Sequence, residues 1–108
     1  MSGRQLSYAA VSVLHAIADG VAYGFDVMDR TELPSGTVYP ALSRLERDGY
    51  VKSHWEDPVK AHGDRRPPRR YYRITARGSE VLADALERFH ALKPVRAGFS
   101  NRPVRSRA

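Results

Sequence analysis

The sequence predicts a mainly α-helical chain with one small β-hairpin, and 108 residues suffice for a single core but not for two. Three observations lead there. Apolar residues recur at helical spacing in four separate stretches. Two short runs, YVKSHWE and RYYRI, alternate like strands and flank thirteen polar, proline-bearing residues. Residues 33–51, LPSGTVYPALSRLERDGYV, read as a helix that begins on small and hydroxyl-bearing residues, stops at a glycine and runs straight into the first strand.

The first helix is expected over residues 6–18, with Leu6, Ala9, Ala10, Val13, Leu14 and Ile17 on one apolar face. Ser7 is placed to cap it and Gly20 to end it. His15 lies off the stripe and reads as a surface or packing residue rather than a ligand. A short second helix follows over residues 25–31. Phe25, Met28 and Val27 are expected to face inward there, with Asp26, Asp29 and Arg30 in water. Gly24, between Tyr23 and Phe25, predicts a close backbone approach to a neighbour.

A turn over residues 31–34 leads to the third helix, residues 35–48, with Gly49 as the residue that closes it. Val38, Leu42 and Leu45 form its inner face. Ser35 and Thr37 have a capping reading beside any functional one, and Pro40 is near enough to the start to cause only a mild kink. Two helices joined by so short a turn, the second with a slim start, form a helix-turn-helix. Residues 50–56 and 70–74 then pair as strands, with Val51 and Trp55 as candidate inward groups, and residues 57–69 are expected to be an exposed loop. Thr75 caps a last helix over residues 76–92, whose apolar positions are Val81, Leu82, Ala85, Leu86, Phe89 and Leu92. That stripe is larger than a small helical core needs, so part of it is expected to pack on a second subunit. The division expected is residues 1–75 as a winged helix-turn-helix, 76–93 as a dimerisation helix and 94–108 as a disordered basic tail.

The net charge of +6 is distributed unevenly. Residues 1–59 carry five Lys or Arg against eight Asp or Glu, whereas residues 60–92 carry eight against four and residues 93–108 carry five against none. Fifteen of the eighteen basic residues are arginines, whose planar fork suits phosphate and base edges. Charge gathered into one loop and one tail points to a polyanion, here double-stranded DNA. In a helix-turn-helix the start of the second helix enters the major groove. Ser35, Thr37, Tyr39, Ser43 and Arg44 are therefore the candidate contacts on that helix. Lys60, Arg65, Arg66, Arg69 and Arg70, opposed within that run only by Asp64, are the candidates on the hairpin loop, the wing. Arg96, Arg102, Arg105 and Arg107 add a basic tail.

Other classes find little support. The chain has no cysteine, which rules out disulfides and thiolate metal sites. It holds no Gly-x-Ser-x-Gly elbow, phosphate-binding Walker loop or His-Glu-x-x-His helix, so no catalytic residues and no cofactor are assigned. His54 and His62 lack a third ligand, and no metal is expected. No apolar run approaches the ~20 residues of a membrane span, and the start of the chain has no signal-peptide core, so a cytoplasmic protein is expected.

The sequence resembles the PadR family of bacterial transcriptional regulators across residues 6–92. The match is carried by Tyr23-Gly24-Phe25, by Ser35-Gly36-Thr37-Val38-Tyr39-Pro40-Ala41-Leu42, by Arg44-Leu45-Glu46-Arg47-Asp48-Gly49-Tyr50-Val51, and by Arg69-Arg70-Tyr71-Tyr72-Arg73-Ile74-Thr75 with Gly78. The resemblance implies a winged helix-turn-helix that dimerises through its C-terminal helix and binds inverted-repeat operators, generally as a repressor. It points to Ser35, Thr37 and Tyr39 on the recognition helix and to the basic wing. It also makes Leu82, Leu86 and Phe89 candidates for the homodimer interface, packed with the partner's first helix around Leu6. Some short members hold flat aromatic effectors with a Trp in that last helix, and this chain has none there. A small-molecule effector is therefore left unidentified. Two rival readings are a sensor built around an inter-subunit pocket and a winged helix that docks proteins.

Overall fold

The structure is a computed structural model that describes residues 6–92, with side chains as far as residue 89. The expected tail lies outside the described residues. Helix α1, Tyr8–Ala18, is capped by the Ser7 hydroxyl, which accepts from the Ala10 N–H at 3.1 Å, and the chain leaves it through Gly20 at φ +99°. Val11 and Ala16 are buried beside the expected stripe. The reason is the position of α1, which packs against two helices before the hairpin, one after it and the second strand.

Helix α2, Gly24–Thr31, buries Gly24 and Val27 and half-buries Met28. Phe25 is a correction to the expected inward set, because its side chain is 61% exposed. A helix turns about 100° per residue, which carries position 25 off the narrow side of this short helix that faces α1. Glu32, at φ 60°, ends the helix, and the Thr31 hydroxyl accepts from the Leu33 N–H at 3.3 Å across the turn.

Helix α3, Ser35–Arg47, buries Val38, Ala41, Leu42 and Leu45, and ends at Asp48 with Gly49 at φ +83°. Ser35 does not cap it. Pro34 holds that position with extended backbone and no side-chain hydrogen bond, which leaves Ser35 as the first helical residue.

Strands β1, Val51–Trp55, and β2, Arg70–Ile74, pair antiparallel from Val51↔Ile74 to Trp55↔Arg70. The chain before α2 adds to the far edge of β2, through a Tyr23↔Tyr71 bridge and a bond of 2.7 Å from the Tyr72 N–H to the Ala22 carbonyl. Val51, at the base of the hairpin, is buried, but Trp55 is 63% exposed, against the expectation that both face inward. Four residues of strand span roughly 13 Å, which takes Trp55 past the helices that cover Val51. The segment expected to be loop contains a helix, α4, Pro58–Gly63, whose N-cap Asp57 accepts from the Val59 N–H at 2.9 Å. Asp followed by Pro is a readable helix start, and the surrounding prolines and charges masked it.

Helix α5, Ala76–Leu92, starts as expected at Thr75, whose hydroxyl accepts from the Gly78 N–H at 3.0 Å and lies 2.7 Å from the Gly49 carbonyl oxygen. This ties the start of α5 to the end of α3. A Cβ on Gly78 would collide with the Tyr50 carbonyl oxygen, so only glycine allows this approach. Leu82 and Ala85 complete a core built from Val13, Leu14, Val27, Val38, Leu42, Leu45, Val51 and Tyr72. Among the described residues no helix is long and apolar enough to cross a membrane.

Candidate nucleic-acid interface

The buried residues of α3 all lie on one side, which leaves Ser35, Gly36, Tyr39, Pro40, Ser43, Arg44 and Arg47 exposed and Thr37 half-buried. Nothing lies within 4 Å of the place a Gly36 Cβ would occupy. The glycine therefore keeps the first turn thin without any packing reason inside the chain. Tyr39 is 44% exposed, and its ring rests against Gly24, where any added Cβ would strike it. That is the close approach expected at Gly24, and it fixes the tyrosine at the junction of α2 and α3. Arg44 makes no ion pair among the described residues, whereas Arg47 lies 3.3 Å from Asp48 in an exposed pair that contributes little.

The five basic residues of the wing behave in two different ways. Lys60 and Arg65 are exposed and form no ion pair among the described residues. The other three are engaged. Arg66 donates to both oxygens of Glu56, at 2.6 and 2.7 Å, and also lies 3.3 Å from Asp64. Its hydrogen bond holds the Glu56 carboxyl down at about 2, against the opposing effect of burial, with further help from the Arg69 backbone N–H. Arg69 lies with its guanidinium 4.6 Å from the centre of the Tyr23 ring. Hydrogen bonding to Tyr71 raises its pKa. Arg70 donates to Glu46 at 3.0 Å and to the Ser53 hydroxyl at 3.0 Å, and lies over the Trp55 ring at 5.5 Å.

Glu46 is the link that sequence reasoning missed. It projects from α3, accepts from the Ser53 hydroxyl at 2.6 Å and from Arg70, and so fastens α3 to the hairpin. Glu56 and the exposed Trp55 were missed as well. The first was hidden as one acid among many. The second read as core because tryptophan is usually buried on average.

Of the candidate dimer residues, Leu82 is buried in this chain's own core, at 6% exposure. Leu86 is 37% exposed, and Leu6 and Phe89 are half-buried. Tyr8, 60% exposed, meets Phe89 edge to face at 5.9 Å. An apolar and aromatic surface thus runs from the start of α1 to the outer half of α5.

Residues 13–84 match the transcriptional regulator PadR-like family. A solved PadR family transcription regulator from hypervirulent Clostridium difficile R20291 is similar with a TM-score of 0.71 at 22% identity, over 88% of this chain and 100% of that one. A transcriptional regulator from Clostridium thermocellum is similar with a TM-score of 0.66 at 27% identity, over 85% and 89%. The PcaV transcriptional regulator from Streptomyces coelicolor, solved in complex with its natural ligand, shares the fold with a TM-score of 0.70 at 22% identity, over 88% and 64%. No curated protein matches the sequence.

Proposed function

The chain belongs to the PadR-like family of transcriptional regulators, and on that footing we propose that it is a homodimeric repressor that binds an inverted-repeat operator on cytoplasmic DNA. The family makes it a DNA-binding regulator. It acts by binding rather than by catalysis. In this reading residues 1–75 read the duplex and residues 76–93 hold the second subunit. Residues 94–108 would add nonspecific attraction. The α3 helices of the two subunits enter major grooves about one helical turn, ~34 Å, apart. Ser35, Thr37, Tyr39, Ser43 and Arg44 meet phosphates and base edges, helped by the partial positive charge of the helix start. Lys60 and Arg65 follow the backbone beside them.

One observation carries the reading. The same helix that leaves Gly36, Ser43 and Arg44 bare toward solvent is fastened on its flank, through Glu46, to the hairpin that holds the free cations. An inert surface gives no reason for that combination. The dimer is supported by Leu86, Phe89, Tyr8 and Leu6, which form an exposed or half-exposed apolar surface on one domain. Footprinting on the DNA upstream of its own coding sequence should show two protected half-sites, and sedimentation should show a dimer that Leu86→Asp converts to monomer. A single protected half-site with a monomeric wild-type protein would refute the homodimer.

A further inference from the structure

The two ends of the wing are held together by one carboxylate. Glu56 directly follows β1 and is 7% exposed, the single buried charged residue among the described residues. Both its oxygens accept from Arg66, and one also accepts from the Arg69 N–H at 3.2 Å. Its own N–H donates to the Arg69 carbonyl at 2.7 Å. On the other side of the lock, the Arg66 N–H donates to the carbonyl of Ala61, a fully buried residue of α4. A second observation lies next to the chelate. Arg65 stands at φ 60°, a left-handed conformation that an arginine rarely adopts and keeps only where its surroundings impose it. Here they are the Arg65 N–H bond to the His62 carbonyl at 2.9 Å and the anchored Arg66 that follows.

We propose that Glu56 is a positioning residue for DNA binding: by chelating Arg66 it closes residues 57–69 into a preformed wing and sets the outward display of Lys60 and Arg65. This rests on the reading that the wing touches DNA. It makes Arg66 an internal strut rather than a phosphate contact. It also explains a buried acid at the base of a basic loop, where simple attraction to phosphate would disfavour one.

The proposal predicts an effect opposite in sign to the net charge. Glu56→Gln makes the protein more positive, yet it places an amide NH2 against a guanidinium and breaks the chelate. Arg66→Lys keeps the charge and loses the two-pronged geometry. The full chain is titrated by anisotropy against a labelled mixed-sequence duplex of about 30 base pairs over a range of salt. Both variants are expected to bind about threefold or more weakly, with a log K versus log salt slope shallower by ~1–2, since each lost phosphate contact removes ~0.9. Hydrogen exchange should speed up in residues 57–69 while α1 and α3 stay protected, which separates a loosened wing from a misfolded domain. Glu56→Gln binding as tightly as wild type, or more tightly, overturns the proposal, as does an Arg66→Lys variant with an unchanged slope. The double variant Lys60→Ala with Arg65→Ala is the control. If its slope is also unchanged, the wing does not touch DNA and both readings fall. If that slope drops while Glu56→Gln binds normally, only the lock is wrong.

Discussion

Helix α3 and the wing are built on opposite principles. Helix α3 is part of the core, with four buried apolar residues that fix its orientation, and its exposed side is thin and sparsely charged. The wing has only Ala61 buried along residues 57–69 and is held in shape by charge. Three of its five cations, Arg66, Arg69 and Arg70, are occupied within the chain by a carboxylate or an aromatic ring. The difference shows that the charge a segment carries is not the charge it offers. By count the wing outweighs α3 heavily, but among the described residues the cations engaged by neither a carboxylate nor an aromatic ring are Lys60 and Arg65 on the wing against Arg44 on α3.

Breaking the packing side should have the largest effect. Leu42→Ala empties a fully buried position and should lower stability by about 2–5 kcal/mol, whereas Val59→Ala, at 78% exposure in the wing, should stay within ~0.5 kcal/mol. Thermal melts of the two variants decide it, and a similar Tm loss in both would deny that only α3 belongs to the core. The charge side comes next. Lys60→Ala with Arg65→Ala should make the salt slope shallower by ~2 and Arg44→Ala by ~1, if each free cation meets one phosphate. A larger loss from Arg44→Ala would move the electrostatic centre back to the helix.

Acid should act on the wing late. The Glu56 carboxyl is lowered from 4.5 to about 2 in the folded protein, so the stability it contributes is fully present above about pH 4.5 and is lost as the pH falls toward 2. Trp55, the only tryptophan and the residue before Glu56, reports on this directly. Its fluorescence should hold from neutral pH to about 4.5 and change below that, and a transition centred near 4.5 would show the carboxylate to be unpaired in solution. The smallest effect is expected at the joint between the two regions. Glu46→Ala frees Arg70 and Ser53, a half-exposed contact that contributes about 0.2–1 kcal/mol. It should lower the ratio of operator to nonspecific affinity while leaving nonspecific binding as strong or stronger. An unchanged ratio would mean that the helix and the wing bind independently.

Much of the frame was legible before any coordinates. The Ser7 and Thr75 caps, the stop at Gly49, the inner face of α3 and the extent of β2 all follow from spacing and side-chain type within a few residues. The errors were of another kind. Phe25 and Trp55 were expected inside because large apolar side chains usually are, and their exposure depends on where neighbouring elements end. Ser35 lost its cap to Pro34, a competition between adjacent residues that type preference alone does not resolve.

By itself the sequence determined four of the five helices, the hairpin, the glycine closures and the placement of basic charge, since each is set by residue type and spacing along one turn or one strand. Tertiary structure alone decided which of those charges face outward. Arg66 meets Glu56 from ten positions away and Arg70 meets Glu46 from twenty-four, and such pairs form only when the fold brings the two chain segments together. At Glu56 burial makes the pairing obligatory, because a carboxylate removed from water must be paired where it lies. Such pairs and ring contacts, rather than the count of arginines, separate the cations that brace this wing from those left facing solvent.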